Sequence, residues 1–411
     1  MNIELLYPYI QKYTWGDTQW LQHLLGCADE KSGEPWAELW LGTHPKGMTH
    51  MSQGGRITAT LAEYIQNRPT DVLGPLSVEP FDEGLPFLFK ILAVGTPLSI
   101  QCHPTKVQAR EGFDREELAG IPLSAANRNY RDKNHKPEII CAVTSFTALC
   151  GFRKIGEITA LFTRYLPEVY SLLFGNFFEN ENLSEEAAYR YLLQSILQLE
   201  GSERAACMQL IRNSLASLKD DSQEIALLRK FTEIHPEDPS VLAPLYLQII
   251  NLEPGEALYQ PAGELHAYIS GIGIELMANS DNVLRGGLTE KYVDVQELLH
   301  VVKFRYSAKK KTLPFGELSG LYAYHTPAQD FDLHRIETGT YSAGKNKYVK
   351  IMIQLSGKTE FVYTNPDSHQ EKSFLLSEGK ACIIPAAVRD YTMRTIGTVF
   401  CAGIPDEGEL I

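Results

Sequence analysis

The sequence predicts a mainly β protein with an all-α insertion, and three observations carry this reading. Residues 1 to 153 are rich in short apolar runs, some alternating with period two, broken by Gly and Pro. Residues 154 to 238 switch to a helical period. A turn-and-strand unit then appears twice, at 252–268 and 376–391.

Totals bound the answer first. A chain of 411 residues is long enough for several domains around a large core. Its net charge of -13, with no long run of Lys or Arg, argues against nucleic acid and anionic membrane as partners. An anionic small substrate stays compatible, since a site can be locally basic on an acidic protein. No apolar run approaches membrane-span length. Seven cysteines without a CxxC, behind a start (Met1-Asn2-Ile3-Glu4) that is no signal peptide, predict reduced thiols in a cytoplasmic protein.

The β-rich part opens with Trp15-Gly16 and a Trp-rich stretch around Trp36 and Trp40, read as core packing. A short helix is expected at Leu61 to Asn67. Leu85 to Val94 is an apolar strand with Lys90 in its middle, where a Lys either snorkels out or faces a ligand. In the next strand, Pro97 to Pro104, Ser99, Gln101 and His103 alternate with Ile100 and Cys102, so the three polar groups share a face.

Tyr130-Arg131-Asp132-Lys133-Asn134-His135-Lys136-Pro137-Glu138 is dense in ionisable groups and runs directly into the apolar strand that starts at Ile139. Pro137 biases Lys136 toward an extended conformation, and residues two apart in an extended chain point the same way. Lys136 and Glu138 therefore aim together at the mouth of a sheet. A surface salt-bridge loop is the plainer reading of this stretch taken alone.

Three helices are expected in the insertion. Ser184-Glu185-Glu186 starts the first, Ser202-Glu203 the second and Glu224 the third, which Pro236 stops. The block carries no candidate chemistry. β pattern resumes at Val241 to Leu252.

In the repeated unit Leu252, Gly255, Ala257, Pro261 and Ala262 match Leu376, Gly379, Ala381, Pro385 and Ala386, while His266 falls opposite Asp390. The pattern of turn, short strand, Pro-Ala-Gly and His resembles the second motif of cupin barrels. It implies two cupin-like jelly-roll barrels plus a helical domain. The catalytic barrel would comprise 1–153 and 239–308, split by the helical insertion 154–238. A degenerate barrel, 309–411, would follow a linker at Lys309-Lys310-Lys311.

Gln101, His103, Glu138 and His266 offer two imidazoles, a carboxylate and an amide oxygen, a donor set suited to a divalent metal with zinc the default. Such a site keeps a net positive charge and favours an anionic or enediolate-like ligand. Glycines flank Arg285, so backbone there can approach a ligand closely.

Residues 130–138 resemble the first signature of type I phosphomannose isomerases, and 266–291 resemble the second. Pro97 to Pro104 and Tyr13 to Gly16 resemble the family too. Gly286-Gly287 stands where that family has Ala-Gly, and Glu290 where it has Pro before Lys291. The resemblance implies zinc-dependent interconversion of mannose 6-phosphate and fructose 6-phosphate through an enediol(ate). It implies one zinc per chain on Gln101, His103, Glu138 and His266, with Arg285 as active-site arginine. Glu275, Asp281, His135 and Lys136 all have the chemistry of the proton-transfer base. Ser99, Lys90, Lys136 and Lys291 suit the phosphate and sugar hydroxyls, and Tyr268 and Trp15 the walls of a sugar pocket. The chain is expected to be a monomer with a small sugar phosphate as its partner. A cupin oxygenase would show His-x-His where this chain has Gln101 and His103. A non-catalytic sugar-phosphate-binding cupin is the remaining alternative.

Overall fold

The computed structural model describes residues 1–27, 33–53, 56–75, 84–179, 183–308, 311–318 and 320–406. Lys309 and Lys310 of the expected linker fall outside these. The described residues form two antiparallel sheets, one of ten strands and one of eleven, with eleven α-helices.

The long strand His266–Ala278 is the hub of the ten-stranded sheet. It pairs with Phe87–Val94, Ile100–Cys102, Glu138–Ala142 and Phe146–Phe152. Leu284–Gly287 joins on the far side of Ile100–Cys102, and Glu38–Leu41 on the far side of Phe87–Val94. Gly271 permits the close approach, because it has φ of 113° and a Cβ there would sit 2.5 Å from the carbonyl oxygen of Ser145. A register shift between Tyr268 and Ser270 marks a bulge in this strand.

The eleven-stranded sheet is built mainly from the C-terminal part, around the long strands Lys350–Thr364 and Tyr391–Gly403. The N-terminal strand Glu4–Tyr7 pairs with Ala381–Ile384, and His50–Gln53 pairs with it in turn. The N-terminal segment thus supplies strands to both sheets. One apolar core joins them: Phe89, Ile139 and Ile274 cluster with Ile351, Ile383 and Phe400. Each such fully buried side chain contributes roughly 2 kcal/mol.

The repeat is one of structure as well as sequence. Ala257–Gln260 and Ala381–Ile384 follow left-handed Gly255 and Gly379, with φ of 88° and 71°. The succeeding strands, His266–Ala278 and Tyr391–Gly403, both have 13 residues.

The helix Leu61–Asn67 forms as expected, with a capping box between Thr60 and Glu63. In the α block, Glu185–Leu197 is capped by Ser184, whose hydroxyl accepts from Ala187 N. Gly201–Ser217 and Gln223–Ile234 complete the three anticipated helices. Their stripes, including Leu192, Ile211 and Phe231, pack into one core with Leu284 of the hub sheet and with Leu265, just before its long strand.

Two readings are corrected. The strand expected from Val241 begins only at Leu247. Asp238 accepts from Ser240 N and starts a 3₁₀ turn at Pro239, and Pro244 in the first turn of Ala243–Tyr246 continues as helix. The strand expected across Pro97 to Pro104 is regular only over Ile100–Cys102. A helix not anticipated, Lys106–Leu118, follows and is opened by a Thr105–Gln108 capping box.

Candidate metal centre

Three distant segments bring His103, Glu138 and His266 together, with one ligand-competent atom of each within 4.8 Å of the others. All three are buried. Glu138 Oε1 lies 3.3 Å from His103 Nε2, and its Oε2 lies 3.2 Å from His266 Nε2. The outer nitrogens fix the tautomers. His103 Nδ1 sits 2.8 Å from the carbonyl oxygen of Asn282, and His266 Nδ1 sits 3.0 Å from that of Glu264. A carbonyl only accepts, so each Nδ1 carries a proton, which leaves Nε2 as the atom of each ring that can face a metal.

His103 Nε2 is buried and makes no hydrogen bond, which is the mark of an atom intended for another partner. Burial drives the His103 pKa down to about 4, with Lys136 adding to the effect, so the imidazole is neutral and ready to ligate at pH 7. Burial pushes Glu138 up, but Lys136 and then His103 overcome it and hold the carboxylate well below its usual range.

Gln101 faces His266 across one ladder and Arg285 across the next. Its Nε2 donates to Ser99 Oγ at 3.4 Å, which leaves Oε1 as its ligand-competent atom. Two nitrogens and two oxygens, in a pocket with only one negative ligand, fit a divalent ion such as zinc.

Ser99, Gln101, Lys136, Glu138, His266 and Tyr268 line a cavity together with Lys90 and Glu275. Trp40, Lys90 and Glu275 stand in one cross-strand row. Lys90 Nζ is 3.0 Å from Glu275 and 3.5 Å from Glu38, and lies 5.1 Å from the Trp40 ring centre. Burial opposes the Lys90 charge, but Glu275 and Glu38 outweigh it, so the ammonium stays protonated. Burial raises the Glu275 pKa against the pull of Lys90. Tyr268 is raised by burial and by Glu275.

The remaining candidates lie outside this lining. Arg285 is half-buried one strand away, and burial together with Arg131 lowers its pKa. Lys291, at the surface, is lowered by partial desolvation, then by Arg285, Lys46 and Arg131. Arg285, Lys46 and Arg131 thus share one field with Lys291, and Arg285 has no carboxylate partner among the described residues. The turn at Glu290 is held by Thr289 Oγ1, which accepts from Lys291 N at 3.1 Å. Asp281 is taken up by His44 at 3.1 Å and Lys46 at 2.7 Å, and His135 by Asp330 at 2.9 Å. Trp15 stacks on Tyr13 and packs on the Leu92 and Tyr268 cluster.

Sequence reasoning missed Glu38, Arg131, His44 and Lys46. Glu38 had a signal: it is a lone acid in an apolar strand, as Lys90 is a lone base in its neighbour.

Fold and site define a two-sheet antiparallel β protein carrying a buried His–Glu–His cluster fit for a divalent ion. Residues 3–155 match the model of the phosphomannose isomerase type I catalytic domain. Mannose-6-phosphate isomerase of Salmonella typhimurium is 36% identical over 340 residues, covering 82% of this chain and 85% of that protein. The Homo sapiens enzyme of that name is 32% identical over 352 residues, with 80% of each chain covered. A crystal structure of zinc-bound mannose 6-phosphate isomerase superposes with a TM-score of 0.88 at 32% identity, over 99% of this chain and all of that one. The chain belongs to the type I phosphomannose isomerase family and is an enzyme of the isomerase class.

Proposed function

We propose that this enzyme interconverts mannose 6-phosphate and fructose 6-phosphate, with one zinc ion held by Gln101, His103, Glu138 and His266. The observation that carries the reading is the unpartnered, buried Nε2 of His103 in a cluster with Glu138 and His266. The zinc-bound relative of like fold supports the choice of metal.

The phosphate docks on Arg285, with Arg131, Lys46 and Lys291 supplying the field around it. This leaves the C1–C2 end of the open-chain sugar toward Gln101 and Lys136. Zinc, when bound, supplies a Lewis acid at the O1/O2 edge. Isomerisation moves one proton between C2 and C1 through an enediol(ate). Glu275 is the lining carboxylate whose pKa burial raises, the direction that favours a general base, and Lys90 holds it in place. Lys136 donates to the oxygen that gains charge. Ser99, Lys90 and Tyr268 meet the sugar hydroxyls. In this reading Asp281 and His135 support the site rather than move the proton, since neither lines the cavity that Glu138, His266 and Glu275 share.

The same reading divides the chain into a cupin-like jelly roll at 1–153 and 239–308, a helical insertion at 154–238, and a degenerate jelly roll at 309–411. The structural repeat supports it, with Asp390 opposite His266. The seven free thiols support a cytoplasmic setting, and the enzyme is proposed to act as a monomer.

Assay of mannose 6-phosphate conversion by the purified protein, before and after chelation and after zinc return, tests this. Activity lost and regained supports the isomerase. Tight sugar-phosphate binding without turnover in zinc-loaded protein would refute it in favour of a binding module.

A further inference from the structure

One residue outside the lining touches both halves of the site. Asn282 is fully buried. Its backbone carbonyl receives His103 Nδ1 at 2.8 Å, the bond that fixes that imidazole's tautomer. Its side chain clamps the polar loop before Glu138. Oδ1 accepts from Arg131 N at 2.7 Å and Asp132 N at 3.2 Å. Nδ2 donates to the carbonyls of Asp132 and Asn134, each at 2.8 Å, with Asp132 Oδ1 a further acceptor at 3.1 Å. Every hydrogen-bonding position of the amide is used.

We propose that Asn282 is a positioning residue that sets His103 of the metal cluster and Arg131 of the polar loop in one register. This rests on the reading of His103 as a metal ligand. The sharing is what makes the residue more than a structural amide. Asn279, Ser280 and Asp281 also tie the loop spanning Arg131 to Glu138 to the strand end, but of these residues Asn282 alone bonds Arg131 N and also supplies the carbonyl that orients His103. If the clamp slips, the carbonyl that orients His103 is no longer tied to Arg131 N and Asp132 N. His103 then loses its fixed tautomer, and the Arg131 backbone loses its anchor.

Ser280 provides an internal control. It is equally part of the buried network, donating to Asp132 Oδ1 at 2.9 Å and accepting from Asn282 N at 3.2 Å, yet it touches neither His103 nor Arg131. The test compares Asn282→Ala and Ser280→Ala with the wild type. The readouts are zinc affinity of stripped protein by chelator competition, kcat and KM, and the ¹⁵N shifts of His103 in the stripped protein. Asn282→Ala is expected to weaken zinc by about 10- to 100-fold, as loss of a ligand's outer support does. It should raise KM and turn the single Nδ1–H signature of His103 into a tautomer mixture. Ser280→Ala should lower thermal stability and leave zinc affinity and tautomer as they were. Should Asn282→Ala not fold, Asn282→Asp keeps the side-chain shape and the bonds to Arg131 N and Asp132 N while losing the two to carbonyls, and is read the same way. A folded Asn282 variant with wild-type zinc affinity and a wild-type His103 tautomer would overturn the proposal, as would Ser280→Ala matching it in all readouts. If the wild type does not isomerise mannose 6-phosphate, the functional reading falls, while the tautomer comparison still decides the role of Asn282.

Discussion

Lys136 Nζ lies 2.9 Å from Glu138 Oε1, two residues further along the same extended segment. This contact ties the site's chemistry to its local sequence, because Pro137 between them enforces the extended backbone that puts both on one face. Lys136 lowers the pKa of both Glu138 and His103, after the burial that pushes Glu138 up and His103 down. Lys136→Met should therefore let protons compete with the metal at higher pH. The acid limb of zinc binding, followed by chelator competition across pH, is expected to move upward. An unmoved limb would show that Lys136 does not govern these ligands.

The row of Trp40, Lys90 and Glu275 makes a second prediction. Removing Lys90 leaves Glu275 and Glu38 buried without their shared cation. Lys90→Met should cost about 3–5 kcal/mol, the usual penalty for breaking a buried pair. Adding Glu275→Gln should return part of it. Denaturant unfolding of the single and double variants measures this, and an additive double variant would mean the pair does not interact.

Metal-stripped protein should lose stability in mild acid. His103 titrates at about 4 folded against 6.5 unfolded, so between those values the unfolded chain holds the extra proton. Stability from this group is complete above about pH 6.5 and falls as pH drops toward 4. At 1.4 kcal/mol per pH unit the loss is roughly 3 kcal/mol. The carboxylate of Glu138, held low, adds its own loss at still lower pH. His103→Gln should flatten the slope in the upper window; equal slopes would contradict the assignment.

Arg285→Ala should raise KM for the sugar phosphate and lower kcat/KM by roughly 10- to 100-fold, the worth of one charge-assisted hydrogen bond. Zinc affinity should hardly change, since Arg285 is a ladder neighbour of Gln101 and not a donor atom. Steady-state kinetics against zinc titration separates the two.

Much of the site was legible because it is local. The Lys136 and Glu138 pairing follows from one proline, and the position of His266 from a repeated turn whose glycines, Gly255 and Gly379, both need left-handed backbone. Lys90 stood out as a charge in an apolar strand. What stayed hidden depends on register. Glu38 has meaning only once its strand is laid beside Lys90. Glu275 was among the candidate bases, but its place in the cavity was not legible: it is nine residues from His266, an odd separation, and reaches the same cavity because the bulge near Tyr268 reverses the alternation. Asp281 and His135 have the chemistry of a base, but His44, Lys46 and Asp330, from segments far away in the chain, had already engaged them. The clamp at Asn282 joins residues 150 positions apart, beyond any local pattern.

The central claim, that the His103, Glu138 and His266 cluster is the metal centre of an isomerase, is tested most directly by one titration. Fructose 6-phosphate formation from mannose 6-phosphate is followed as zinc is added to stripped wild type and stripped His266→Ala. The wild-type rate should rise to a plateau at one zinc per chain, and the variant should stay inactive throughout. A variant that recovers with the same zinc dependence as the wild type would contradict the account.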